Sequence, residues 1–315
     1  MALPFLHEAG AFLSPSMPMT TRLDPPDDAL GPLQWPMQAG VRAWMSTRRW
    51  PTGLAGAVPI RPSLPPFDDA NLGDHVGDDP ATVAAHRLAL AQAMQADPVW
   101  LRQVHGHRVV QLGRDGDGGG GWQVDGQAWD PAQPVEADGS WTTEPGVVCT
   151  VMVADCLPVL LAAPQGRGVA ALHAGWRGLA GAGSLAGQGV LESGVAALCA
   201  GASCEPAELQ AWLGPCIGPQ SFEVSEDVLR GFGVDPDAAV TPHFQLLPST
   251  GQQTPRKWLA DLPGLARQRL AAQGVSLVAG GRWCTVSDAS RFFSFRRDGV
   301  TGRQAACIWL ERGSR

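Results

Sequence analysis

At 315 residues the chain is long enough to bury a substantial core, as one large domain or two small ones. Its 23 basic residues against 30 acidic ones leave a formal net charge of −7, which argues against a general nucleic-acid-binding or anionic-membrane surface. Lys257 is the single lysine. That removes the GK[ST] phosphate loop, argues against a Schiff-base mechanism, and leaves arginine, which suits planar recognition of phosphate or carboxylate.

Residues 1 to 35 are rich in Pro, Asp and Met, lack periodicity, and read as an extended or disordered leader to a domain spanning 36–315. The first residues have no basic region ahead of an apolar core, so they make a poor secretory signal. A strand is expected at Val41 to Thr47 and a proline-rich loop from Pro51 to Pro66. Asp79-Pro80 forms an N-cap and first-turn pair ahead of VAAHRLALAQAM, whose apolar spacing is helical. Strands are predicted at Pro98 to Gln103 and Arg108 to Leu112, followed by a glycine-rich loop, RDGDGGGGWQVDG.

The most apolar stretch, Gly146 to Ala163, is broken by Asp155, Cys156 and Pro158, and reads as two buried strands rather than a membrane span. The strands are placed at Val147 to Val153 and Pro158 to Ala162, with another at Gly168 to Leu172. A helix from Ser184 to Cys199 and a strand at Leu209 to Leu213 come next. Helices at Ser225 to Gly231 and Trp258 to Gln273 precede closing strands near Ser276 to Val278 and Gln304 to Trp309. The result is a mixed α/β chain without a convincing linker between domains. Seven scattered cysteines do not form a disulfide framework, which fits a reducing cytoplasm.

The segment GVAALHAGWRGLAGAG, Gly168 to Gly183, concentrates the chemistry: a strand delivering His173, then a glycine-rich loop with Arg177 ahead of a helix. Such a loop is suited to an anion. His105 also stands at a strand end, with His107 two residues on. Cys156 follows Asp155 in an apolar run, and His105, Cys156 and His173 together would make a three-ligand zinc site with an open fourth position. A small buried hydrophobe is the alternative for Cys156. Arg48, Arg177 and Arg296 with Arg297 are candidates for anion contacts, and Asp155 and Glu223 for orienting a ligand or carrying a proton. HExxH, GxSxG and an HxE paired with PCxxC are all missing.

The segments NLGDHVGDDP, LRQVHG, ADG, PGVVCTVMVADCLPVLL, LHAGWRG, LGPCIGP and FFSFRRDGVTGRQAACIWL run in order across most of residues 40 to 310. Together they resemble the bacterial YfiH or laccase-domain family, whose members carry labels such as polyphenol oxidase and purine nucleoside phosphorylase. The resemblance implies a single-domain layered sandwich of mixed β-sheet and helices, cysteine-hydrolase-like in fold. It also implies a zinc site from the QVHG histidine, the ADC cysteine and the HAGWRG histidine, here His105, Cys156 and His173. Gln103, Arg48, Arg177 and Arg296 are then the expected contacts to substrate or phosphate. The chain departs from the family at His86, where Asn is usual, at Phe295, where His or Tyr is common, and in the stretch from Pro51 to Pro66.

The implied activity is zinc-dependent phosphorolysis of adenosine, inosine, guanosine and methylthioadenosine, with deamination of adenosine beside it. Its partners are a nucleoside and phosphate, not nucleic acid or membrane, in a monomer or small homo-oligomer. The same zinc site would also serve a peptidoglycan-precursor editing hydrolase acting on a UDP-muramoyl-serine intermediate. A copper polyphenol oxidase needs more converging imidazoles than the seven histidines here offer. A non-catalytic binding protein, the remaining alternative, would keep its behaviour when Cys156 is replaced.

Overall fold

The structure, a computed structural model, describes residues 31–33, 39–50, 62–68, 70–116, 121–238, 242–248 and 255–312. The leader apart from residues 31–33, the stretch from 51 to 61, and four residues of the glycine-rich loop, 117–120, lie outside them. A five-stranded sheet runs in the order β1 (Pro32–Leu33), β2 (Val41–Met45), β16 (Gln304–Leu310), β8 (Val147–Val153) and β3 (Asp97–Val99). An eight-stranded sheet runs β15 (Leu277–Gly280), β11 (Gln210–Leu213), β9 (Leu157–Ala162), β10 (Val169–Ala174), β7 (Gly139–Thr142), β4 (Val109–Arg114), β5 (Trp122–Val124) and β6 (Gln127–Trp129). A small third sheet joins β12 (Glu223–Val224), β14 (Trp258–Ala260) and β13 (Phe244–Leu246).

The apolar runs follow from burial on both faces. In β16, Ala306, Ile308 and Leu310 point between the two large sheets, while Ala305, Cys307 and Trp309 meet α1 (Pro80–Met94) on the outside. In β10, Val169 and Ala171 join the inter-sheet core, and Ala170, Leu172 and Ala174 pack under α3 (Val190–Ala202) and α5 (Leu262–Ala272). The layers are thus helix, sheet, sheet and helix, with no uncovered face on the central strands. This is the single layered sandwich of mixed sheet and helices that the resemblance implies. Three short helices complete it: α2 (Trp176–Ala180), α4 (Glu226–Gly231) and α6 (Phe295–Asp298). Among the described residues, no single helix is long and apolar enough to cross a membrane.

Asp79 caps α1 by accepting from the Thr82 amide at 2.9 Å, with Pro80 in the first turn, as its sequence predicts. Elsewhere the boundaries move for physical reasons. β10 runs on through His173 to Ala174, and α2 begins at once with Trp176, so the glycine-rich segment is itself a helical turn. The helix expected from Ser184 begins at Val190, after a short 3-10 turn at Gly183–Leu185. The helix expected from Trp258 starts only at Leu262, because Asp261 accepts from the Gly264 amide and ends a preceding strand. Trp122–Val124 is strand rather than loop. Asp125 and Gly126 take left-handed conformations (φ 51° and 75°) and close a tight hairpin. In the expected strand Pro98 to Gln103, pairing stops at Val99, and Arg102 makes only an isolated bridge to Glu136.

Candidate metal centre

Three segments converge at one end of the paired sheets. His173 lies near the end of β10, opposite Pro158 of β9, which places it beside the turn carrying Cys156. That turn is pinned by Asp155, whose backbone adopts φ 93°. Its carboxylate accepts from the Thr285 hydroxyl at 2.5 Å and from the Arg296 amide at 2.6 Å, and its carbonyl accepts from the Ile217 amide at 2.9 Å. His105 comes from a loop, at φ 61°. Gln103 ties this loop to β8, its amide group bonding the nitrogen and oxygen of Met152, each at 2.8 Å.

One nitrogen from each imidazole and the Cys156 sulfur lie within 4.8 Å of one another. His105 Nε2 is 3.6 Å from Cys156 Sγ, and the two imidazole rings meet edge to face at 4.8 Å. Gly175 leaves the room for this. A Cβ there would stand 2.6 Å from His105 Cδ2 and 3.2 Å from Cys156 Sγ.

Asp138, fully buried just before β7, organises both histidines. It accepts from His173 Nδ1 at 2.8 Å and from the amides of Val104, His105 and Gly106 at 3.2, 2.9 and 2.6 Å. The carboxylate therefore fixes the His173 tautomer, turns Nε2 toward the cluster, and holds the loop that presents His105. Burial pushes its pKa up, but the bonds from His173 and the loop amides outweigh that and leave it lowered. Sequence reasoning quoted ADG as a motif and missed this residue. The available signal was a carboxylate between Ala137 and Gly139, directly ahead of a buried strand.

Burial also pushes the Cys156 thiol up, yet the positive charge of His173 and hydrogen bonds from both histidines bring it down to about 6. Burial lowers His173, and the charge of Cys156 with the Asp138 bond raises it to about 9. A thiolate beside two imidazoles suits a borderline-soft ion such as zinc, and three protein ligands with exposed His105 at the mouth leave a position for a small molecule.

The remaining candidates divide. Arg296 is tied to the cluster through Asp155, and its guanidinium donates to the Glu223 carbonyl at 3.0 Å. The Glu223 carboxylate is exposed and lies 3.9 Å from Lys257 Nζ. Arg48 pairs with Asp68 and donates to the Ala289 carbonyl at 2.7 Å, over the ring of Phe293. Exposed Arg177 stacks on Trp176 at 4.4 Å. Arg297, in α6, bonds the Asp298 carboxylate and the carbonyls of Thr285 and Phe292. His107 is half-buried and its ring reaches the Gln188 carbonyl at 2.8 Å. His86 is buried against the Asn71 carbonyl and edge-on to Trp50, while Phe295 is 59% exposed on α6.

The family described as "Multi-copper polyphenol oxidoreductase laccase" matches residues 61–311. The chain belongs to this family. Among relatives, a protein of Pseudomonas aeruginosa named as a purine nucleoside phosphorylase is 42% identical over 281 residues, covering 88% of this chain and 96% of the relative. The Escherichia coli protein named "Purine nucleoside phosphorylase YfiH" is 42% identical over 279 residues, with 88% and 97% coverage. Among solved structures, YlmD from Geobacillus stearothermophilus superposes with a TM-score of 0.71 at 28% identity, covering 93% of this chain and 100% of that one. A Neisseria meningitidis protein, described as NMB0706 of the DUF152 family, gives 0.69 at 36% identity, with 89% and 98% coverage.

Proposed function

We propose that this laccase-domain protein is a cytoplasmic, zinc-dependent purine nucleoside phosphorylase acting on adenosine, inosine, guanosine and methylthioadenosine, with deamination of adenosine as a side activity. The observation that carries the reading is the cluster of one thiolate and two imidazoles with an exposed mouth. The relatives' names supply the reaction class. His105, Cys156 and His173 would hold the ion, which when bound supplies Lewis acidity.

The chain's own residues do the positioning. Asp138 fixes His173 and the His105 loop, and Asp155 anchors the Cys156 turn to α6. Phosphorolysis needs phosphate held against the anomeric carbon of the sugar, with charge on the departing base stabilised. Arg48, Arg177 and Arg296 are the candidates for the first need, and Asp155 and Glu223 remain the proton-carrying candidates. A multicopper oxidase is the weaker reading, since the described residues hold one such ligand cluster, too few imidazoles for a blue-copper site and a trinuclear centre together.

The test is product analysis by liquid chromatography of zinc-loaded protein given adenosine, with and without phosphate, beside Cys156→Ala. Adenine released only with phosphate, and lost in the variant, is the expected result. A folded, zinc-bound protein that turns over no nucleoside overturns the reading and favours the peptidoglycan-precursor hydrolase.

A further inference from the structure

Phosphate needs a cation that no carboxylate already neutralises, and several of the arginines are spoken for. Arg48 is paired with Asp68, Arg87 with Asp74, Arg269 with Glu192 and Arg297 with Asp298. Arg303 differs. Among the described residues it makes no ion pair, and its guanidinium donates only through Nη1, to the carbonyls of Thr301 and Gly302 at 3.1 and 3.0 Å.

Its place in the fold is set by sheet register. β16 pairs Gln304 with Val153 of β8, so one step further puts Arg303 level with Ala154 and beside the turn that presents Asp155 and Cys156. The backbone there is clamped from a second segment: Asn71 Oδ1 accepts from the amides of Arg303 and Gly73 at 2.8 and 2.9 Å, and the Leu72 amide donates to the Arg303 carbonyl at 3.0 Å. Gly73 makes room for the side chain, since a Cβ would stand 2.8 Å from Arg303 Cγ. Burial lowers the Arg303 pKa, while the negative charges of Cys156 and Asp155 push it back up. Asp155 makes no ion pair with this guanidinium among the described residues, and its two oxygens accept from Thr285 and Arg296.

We propose that Arg303 seats inorganic phosphate beside Cys156, through the Nε and Nη2 edge that carries no hydrogen bond among the described residues. The assignment rests on the phosphorylase reading and names the residue that binds its second substrate. It replaces Arg177, exposed on Trp176, as the main phosphate contact.

The experiment compares wild type, Arg303→Met and Arg303→Lys, all zinc-loaded and checked for folding by thermal melting. The KM for phosphate should rise about 10- to 100-fold in Arg303→Met and less in Arg303→Lys, with the KM for adenosine within about threefold of wild type. An unchanged phosphate KM in a folded Arg303→Met overturns the assignment and leaves the phosphorylase reading standing. If Arg303→Met does not fold, the Lys variant decides on the same reading. Should wild type release no purine at all, the phosphorylase reading fails, and a turnover-free measurement judges Arg303 alone. Inorganic phosphate should slow alkylation of Cys156 in metal-free wild type and not in Arg303→Met. Equal protection in both, or none in either, overturns the assignment.

Discussion

His173 and His105 reach the same point from opposite kinds of backbone. His173 sits in β10, hydrogen-bonded on both sides within the eight-stranded sheet, and is 3% exposed. His105 sits in a loop at φ 61°, exposed, and outside any ladder. A strand places its side chain through cross-strand pairing, whereas a loop needs some other fixed group. Here that group is Asp138, which binds three loop amides and also His173. The ligand that looks free is therefore anchored to the same carboxylate as the ligand that looks rigid.

Removing the shared anchor is the severest way to break that comparison. Asp138→Ala leaves three amide donors and a buried imidazole without their acceptor, and unfolding in urea should show a loss of about 3–5 kcal/mol. Asp138→Asn should keep more stability yet weaken zinc binding by about 10–100-fold, read by competition with a chromophoric chelator.

Two glycines separate the fold from the site. A Cβ at Gly178 would stand 2.5 Å from the Gly106 carbonyl oxygen, which is backbone of the anchored loop, so Gly178→Ala should destabilise by about 1–3 kcal/mol in the same urea assay. A Cβ at Gly175 instead meets the His105 ring, which can swing into solvent. Gly175→Ala should lose zinc affinity by about tenfold with stability nearly unchanged. Equal damage to stability from both would show that the His105 loop has no independence from the sheet.

The electrostatics sharpen the same point. An acid with a lowered pKa stays charged until the pH falls through its folded value, and a raised base keeps its proton until the pH rises through its own. In the metal-free protein, thiolate Cys156 and protonated His173 should therefore coexist from about 6 to about 9. Between 6.5 and 9.0 an unfolded chain holds thiol and neutral imidazole, the same number of protons, so the pair adds little slope to stability against pH there. The ultraviolet thiolate absorbance, taken as the difference from Cys156→Ala, should fade with a midpoint near 6. A midpoint near 9 would mean that His173 does not carry the proton. The smallest effect is expected at His107, which among the described residues hydrogen-bonds the Gln188 carbonyl: His107→Ala should change turnover by less than about threefold.

The buried strands were legible because β8, β9, β10 and β16 are covered on both faces and show as unbroken apolar runs. The trio was legible because two histidines and a cysteine interrupt such runs or stand at their ends. The start of α5 was not, although Asp261 with Pro263 repeats the capping chemistry of Asp79 with Pro80. The apolar Trp258–Ala260 joined on to the helix pattern and masked the break. The hairpin at Asp125-Gly126 was hidden by the glycine run before it. Asp138 and Arg303 escaped for a different reason. Each acts through segments distant in the chain, Val104–Gly106 with His173 for one and Asn71–Gly73 for the other, and no local spacing reports such contacts.

The central claim is that His105, Cys156 and His173 form one metal centre, and metal content tests it most directly. Wild type loaded with zinc and passed through a desalting column should retain about one ion per chain by mass spectrometry, and folded Cys156→Ala less than about a tenth of that. A folded Cys156→Ala that retains as much zinc as wild type, or a wild type that retains none, would contradict it.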